Sequence, residues 1–363
     1  MQAAVFRKPH EPLTIESVDI DRPGRREVLV RTAASGVCHS DLHLVDGNGR
    51  FPIGEPYVLG HEGADVVEAV GEDVTYVKPG DHVVACLSGF CGICEQCLAG
   101  HPNLCTGGAV LRPTPGAPRL SQAGRPVIQG FGIASYADRM LLHENSLVRI
   151  DPQIPLDRAA LVGCGVLTGV GAALRTAGVR PGQTVAVYGC GGVGLSIIQS
   201  ARIANARQII GVDRFDSKLE MAQEFGATHT VNSSTSDPVE AIRGLTGSAG
   251  VDHAFEAVGN ATLVRQAIMS LAIRGTATIV GVLPPDASIE FPWMAIRPEC
   301  RVQTSRMGSN QFRSDIPNYL ELYRQGKLNL DDMITVRRPL ADINDAFRAM
   351  TAGEVARTVL TFT

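Results

Sequence analysis

Val185-Ala186-Val187-Tyr188 runs straight into Gly189-Cys190-Gly191-Gly192-Val193-Gly194, and Leu195-Ser196-Ile197-Ile198 follows. An apolar run that enters G-x-G-x-x-G and leaves as a helix pattern is a strand, a tight turn and a helix whose N-terminus faces a pyrophosphate. The glycines allow the turn, the close approach of phosphate and the packing of helix on strand. Asp213 ends the next apolar strand, Gln208–Val212, 19 residues beyond Gly194. A carboxylate there accepts from a ribose hydroxyl and repels a 2′-phosphate, so Gly189, Gly191, Gly192, Val193, Gly194 and Asp213 point to NAD.

Outward from this loop the rhythm alternates. Strands are predicted at 184–188, 208–212, 228–231, 251–256 and 277–282, with helices at 217–225, 239–245 and 261–272 between them. Such alternation predicts an α/β fold with a doubly wound parallel sheet, a Rossmann domain. The first 150 residues differ. Short β-type runs at 3–6, 27–34, 64–70, 82–85 and 136–142 are broken by glycine and proline, which predicts a mostly β domain. Beyond about residue 305, amphipathic helices are predicted at 316–324 and 343–351 and a strand at 357–361.

Length and composition narrow the function. A chain of 363 residues exceeds one core. A formal net charge of -4 gives no basic surplus for nucleic acid. The longest uncharged run, Ala159 to Leu174, is too short and too rich in glycine for a membrane span, and the start of the chain lacks a leader pattern. A cytoplasmic protein is therefore expected. In that compartment nine cysteines suggest metal binding before disulfides.

Two thiol groupings carry this reading. Cys91, Cys94, Cys97 and Cys105 form C-x2-C-x2-C-x7-C, enough to enclose one zinc in a closed structural site; an iron–sulfur cluster is the rival. Cys38, His61 and Cys164, far apart in sequence, would make an open zinc site with a fourth position for substrate. Asp41 and Glu62 stand beside them as carboxylates that orient His61 or tune the metal.

In combination these segments resemble the zinc-containing medium-chain alcohol dehydrogenases. The resemblance rests on Cys38-His39-Ser40-Asp41 with His43, Gly60-His61-Glu62-Gly63, the four-cysteine lobe, Gly163-Cys164-Gly165, the glycine loop, Asp213 and Arg357-Thr358-Val359-Leu360. It implies a GroES-like catalytic domain from residues 1–165 and 307–363, a Rossmann domain at 166–306, and an active site in the cleft between. It implies two zinc ions per subunit: a catalytic one on Cys38, His61 and Cys164 and a structural one on the four cysteines. It places a proton relay on Ser40 and His43, pyrophosphate contacts on His39 and Arg357, and an adenosine-ribose contact on Lys218. Leu87, Gly130, Phe131, Val282 and Arg306 would approach the pocket, Val282 on the cofactor side.

The reaction implied is reversible hydride transfer between a primary alcohol and NAD, giving an aldehyde. Leu87 and Gly130 stand where well-known ethanol-oxidising relatives are aromatic, which suggests a roomier pocket for aryl or terpenoid alcohols. Gly47-Asn48-Gly49-Arg50 lacks the acidic residues of the glutathione-dependent formaldehyde branch. Oxidation of a thiol–formaldehyde adduct, permanently bound NAD recycled by a second substrate, and a non-catalytic binding protein are the alternatives. The segment Thr106–Arg125, with Pro113, Pro115 and Pro118, resembles the insert of dimeric members. A homodimer is expected, joined through an edge strand near Pro284–Pro292.

Overall fold

The computed structural model describes residues 1–48, 54–111 and 118–362. Part of the Gly47–Arg50 stretch and residues 112–117, with Pro113 and Pro115 of the expected insert, lie outside the described residues. The chain divides into two units: Met1–Cys164 with Gln311–Arg324 and Leu330–Thr363, and Gly165–Asn310 with Gln325–Asn329.

In the second unit a six-stranded parallel sheet runs in the order His229–Asn232, Gln208–Asp213, Thr184–Tyr188, Val251–Glu256, Leu271–Ile279, Arg301–Thr304. The strand that comes first in sequence is central and the order reverses on either side of it, so the carboxyl ends of the strands form a switch point for ligand. Thr184–Tyr188 is buried throughout, as its unbroken apolar run requires of a strand covered on both faces. Helices start where the chain supplies caps: Asp237 accepts from the N–H groups of Val239 and Glu240, and Asn260 from those of Thr262 and Leu263. Each such cap is worth about 1 kcal/mol.

Two readings of the sequence need correction here. The helix expected to reach residue 272 stops at Met269, and the strand expected at 277–282 is Leu271–Ile279. The Asn260 cap fixes the start of the helix, and the strand enters early through an irregular register opposite Val251 and His253. The edge of the sheet is Arg301–Thr304, whereas residues 284–292 hold no strand. Pro284, Pro285 and Pro292 have no N–H to give to a ladder.

The unit also claims more chain than the resemblance implied. Gly308 lies so close to Gly171 that a side chain on Gly171 would sit 2.2 Å from the Gly308 oxygen. The hydroxyls of Thr176 and Ser309 lie 2.8 Å apart. Residues 325–329 join through Gln199, which accepts from the Asn329 N–H at 2.6 Å and donates to its oxygen at 3.2 Å.

Among the described residues the first unit holds a seven-stranded and a six-stranded sheet. Glu27–Gly36 is the hub of the larger one, pairing antiparallel with Gly63–Val70, Arg139–His143 and Arg357–Thr361. The run read as one strand over 136–142 is regular only over Arg139–His143, because Tyr136 instead zips to Leu59 and Ala4. Arg313, on the helix Phe312–Arg324, stacks 3.7 Å from the Tyr76 ring centre and donates to the oxygens of Glu144 and Leu147. That stacking fastens the returning chain onto the β domain. Among the described residues no helix is long and apolar enough to cross a membrane.

Candidate metal centres and cofactor site

The four-cysteine lobe is folded around its sulfurs. Cys91 Sγ lies 4.0 Å from Cys97 Sγ, and Cys94 Sγ 3.9 Å from Cys105 Sγ. A tetrahedron with Zn–S bonds of about 2.3 Å has edges of about 3.8 Å, so the sulfurs suit one ion. A multi-iron cluster would insert several atoms between them and hold them farther apart. The N–H groups of Ile93 and Cys94 donate to Cys91 Sγ, and those of Cys91 and Gly107 to Cys105 Sγ. Donors of this kind favour thiolate: the Cys94 thiol is drawn down to about 5, chiefly by the Cys97 and Thr106 N–H groups.

The second cluster draws on three parts of the first unit. The strand Glu27–Gly36 delivers Cys38, which caps the short helix His39–Val45 in extended conformation. The turn into Gly63–Val70 delivers His61 and Glu62, and the end of Leu156–Leu161 delivers Cys164. One ligand atom from each of Cys38, His61, Glu62 and Cys164 lies within 4.8 Å of the others. His61 is fully buried and neither ring nitrogen makes a hydrogen bond, although Nδ1 lies within ion-pair distance of Asp41 Oδ2 at 3.1 Å. An orphaned imidazole nitrogen facing two sulfurs is what a metal would complete.

The charges also close. Two thiolates balance a divalent cation, and the buried Glu62 carboxylate is paired with the buried Arg357 guanidinium. Gly36 leaves room for that pair, since a side chain there would strike both Glu62 Oε2 and Arg357. Titration follows the packing. Cys38 is held well below the usual thiol range by its bond to Cys164 and by the His61 charge, and Cys164 is pushed up by the same bond and by burial. Burial pushes His61 down, but the Asp41 and Cys38 charges more than reverse it.

Asp41 therefore stands beside His61, while Glu62 lies in the ligand cluster itself and faces Arg357. Ser40 and His43 are three residues apart on the helix His39–Val45, hence on one face, and both are half-buried. His39 is exposed. Gly130 does not enlarge a pocket: its missing side chain would lie 2.8 Å from the Val58 oxygen and 3.1 Å from Leu59. Phe131 carries the aromatic surface, its ring centre 4.6 Å from that of His61, with a backbone φ of 54°.

Sequence reasoning passed over Tyr136, whose hydroxyl donates to Asp41 Oδ2 at 3.0 Å. No spacing signal links positions 41 and 136.

In the second unit the glycines divide the labour. Gly189 takes φ 96°; a side chain on Gly194 would meet the Gly189 oxygen; one on Gly191 would meet nothing within 4 Å, leaving that face open to a ligand. The Cys190 N–H donates to Asp213 Oδ2 at 2.9 Å, which ties the loop to the end of the neighbouring strand. Lys218 lies in the first turn of Asp216–Glu224, its Nζ 5.6 Å from the Phe215 ring centre, and Val282 is 67% exposed.

Comparison with known proteins agrees with this construction. Residues 24–152 match the alcohol dehydrogenase GroES-like domain, and residues 192–325 the zinc-binding dehydrogenase domain. The chain is 38% identical to S-(hydroxymethyl)glutathione dehydrogenase of Haemophilus influenzae, over 99% of this chain and 96% of that one. An alcohol dehydrogenase zinc-binding domain protein from Burkholderia ambifaria superposes with TM-score 0.93 at 37% identity, covering 100% of this chain and 98% of the other. Benzyl alcohol dehydrogenase of Acinetobacter calcoaceticus superposes with TM-score 0.90 at 32% identity, covering 100% and 99%. With the two domain matches, the near-full-length identity and two side-chain clusters able to hold a metal ion, the chain belongs to the zinc-containing medium-chain alcohol dehydrogenases and is an NAD-dependent oxidoreductase.

Proposed function

We propose that the chain interconverts a bulky primary alcohol, aryl in the first instance, and its aldehyde. The reading is carried by the convergence of Cys38, His61 and Cys164 on one point, with the Phe131 ring against His61. Zinc held there supplies Lewis-acid polarisation of the alcohol oxygen, and NAD supplies the hydride acceptor. The protein does the rest. Ser40 Oγ would take the proton of the alcohol hydroxyl as it gives up its own, and His43, on the same helix face, would receive a proton from that relay and release one to water. Phe131 offers an aromatic edge and face to an aryl substrate. Glu62 and Arg357 keep the buried set neutral, and the pyrophosphate contacts proposed for His39 and Arg357 rest on the resemblance of Cys38-His39-Ser40-Asp41 and Arg357-Thr358-Val359-Leu360. The Gly189–Gly194 loop takes the pyrophosphate, Asp213 and Lys218 the adenosine ribose, and Val282 the nicotinamide side. Cysteines used as metal ligands and buried thiols, with none paired in a disulfide, suit a reducing compartment such as the cytoplasm.

A thiol–formaldehyde adduct is the second reading, favoured by the name of the Haemophilus influenzae relative at 38% identity. Turnover of benzyl alcohol against formaldehyde plus glutathione, each with NAD and NADP, separates the two through the absorbance of the reduced cofactor. The first reading expects benzyl alcohol with NAD to be preferred, and preference for the adduct overturns it. Cys164→Ser should abolish turnover and lower bound zinc from two per subunit to one. Near-normal activity in that variant would remove Cys164 from the centre.

A homodimer is proposed as well. Trp293 and Met294 are 81% and 89% exposed, and Val302 of the edge strand Arg301–Thr304 is 54% exposed. Apolar surface of that kind is ordinarily covered by a partner.

A further inference from the structure

Asp41 is a fully buried carboxylate with more than one donor to share. Oδ1 accepts the Gly60 N–H at 2.8 Å. Oδ2 accepts the Tyr136 hydroxyl at 3.0 Å, and the same oxygen lies 3.1 Å from His61 Nδ1. Tyr136 is itself fully buried, and burial together with the Asp41 charge holds its hydroxyl well above the ordinary range, so it stays protonated and donates. The residue is rigidly placed. Its N–H bonds the Leu59 oxygen at 3.0 Å, its oxygen accepts from Ala4 at 2.8 Å, and its ring meets Phe347 edge-on at 6.2 Å. The neighbouring Ser135 N–H bonds the Gly60 oxygen at 3.0 Å. A side chain on Gly60 would reach Tyr136 Cδ1 at 2.5 Å, so ring and turn are fitted to one another.

We propose that Tyr136 is a positioning residue for the catalytic metal: it fixes Asp41 Oδ2, and through Asp41 the orientation and donor strength of His61. This rests on the metal centre proposed above. A carboxylate oxygen shares its electron density among its donors. The phenol tempers the pull of Asp41 on the imidazole N–H and pins the carboxylate in the plane that His61 needs. Without it Asp41 can rotate, and His61 meets the metal in a less defined geometry.

Tyr136→Phe removes one oxygen and keeps the ring. The test uses full-length protein with cobalt at the catalytic position and zinc in the four-cysteine lobe. Visible absorption reads the ligand field, and extraction by a chelator reads metal retention. Tyr136→Phe should move the cobalt bands and speed extraction about three- to ten-fold, less than the 10–100-fold typical of a direct partner of a ligand. Asp41→Asn should do both more strongly, and the double variant should match Asp41→Asn alone, because the route passes through Asp41. A Tyr136→Phe spectrum and extraction rate equal to wild type would overturn the proposal, as would full additivity in the double variant. If wild-type protein bound no metal beyond the lobe, the centre itself would fall, and that result is read before any variant is made.

Discussion

Gly36 shows how much of the centre rests on single atoms. Its Cα faces Glu62 Oε2 and the Arg357 guanidinium, and any β-carbon would occupy the space their pairing needs. Gly36→Ala should therefore part a buried ion pair beside the ligands. We expect a loss of about 1–3 kcal/mol in stability from overpacking. Catalytic metal should be lost while the four-cysteine zinc is kept. Metal analysis with a melting curve checks this, and retention of both ions would show that Glu62 and Arg357 can part harmlessly. At this scale the sequence was legible where residues are ligands. Cys38, His61, Cys164 and the four-cysteine set stand in contexts that the resemblance made specific. Partners of ligands were harder to see. Asp41 and Glu62 were both expected near His61, but only coordinates show that Asp41 faces the imidazole while Glu62 faces Arg357. Tyr136 and Asp41 meet across 95 positions of chain, a link with no periodicity to betray it.

Elements were legible where one pattern ran unopposed. Thr184–Tyr188, Val251–Glu256 and Ile343–Thr351 follow from apolar runs or helical spacing. Residues 269–282 depart from expectation because only Ser270 separates the end of the helix at Met269 from the start of the strand at Leu271, with no glycine or proline to mark the change of pattern. The strand Gly63–Val70 hides another feature. Asp65 is fully buried, both its oxygens lack partners, and burial pushes its carboxyl well above the usual range. Its folded form holds a proton that the unfolded chain releases above about 3.8. The folded state thus binds more protons, so stability from this site is complete below that value and is lost as pH rises toward the folded pKa. The slope is at most about 1.4 kcal/mol per pH unit. Asp65→Asn cannot ionise. It should flatten this part of the curve and melt higher than wild type at pH 8, with the gap closing at pH 4. Parallel wild-type and Asp65→Asn melting curves from pH 4 to 8 would refute the assignment.

At the scale of the molecule, the division of the chain between the two units follows from packing that sequence alone does not announce. Residues 307–310 and 325–329 were assigned to the catalytic domain by resemblance, yet Gly308 nests on Gly171 and Asn329 is held by Gln199. The edge strand expected near 284–292 is likewise absent there, and the edge of the sheet is Arg301–Thr304. The proposed dimer has a convenient reporter, because Trp293 is the chain's single tryptophan and is 81% exposed. In an isolated chain its emission would be that of an indole in water. In a dimer covering Trp293, Met294 and Val302 the emission should be blue-shifted, and the sedimenting mass should be twice 38.5 kDa. Met294→Asp places a charge on an apolar face whose burial it would oppose. That variant should sediment as a monomer and move tryptophan emission to the red, while keeping the four-cysteine zinc. A wild-type chain that sediments at 38.5 kDa with water-like emission would leave the exposed face without this partner.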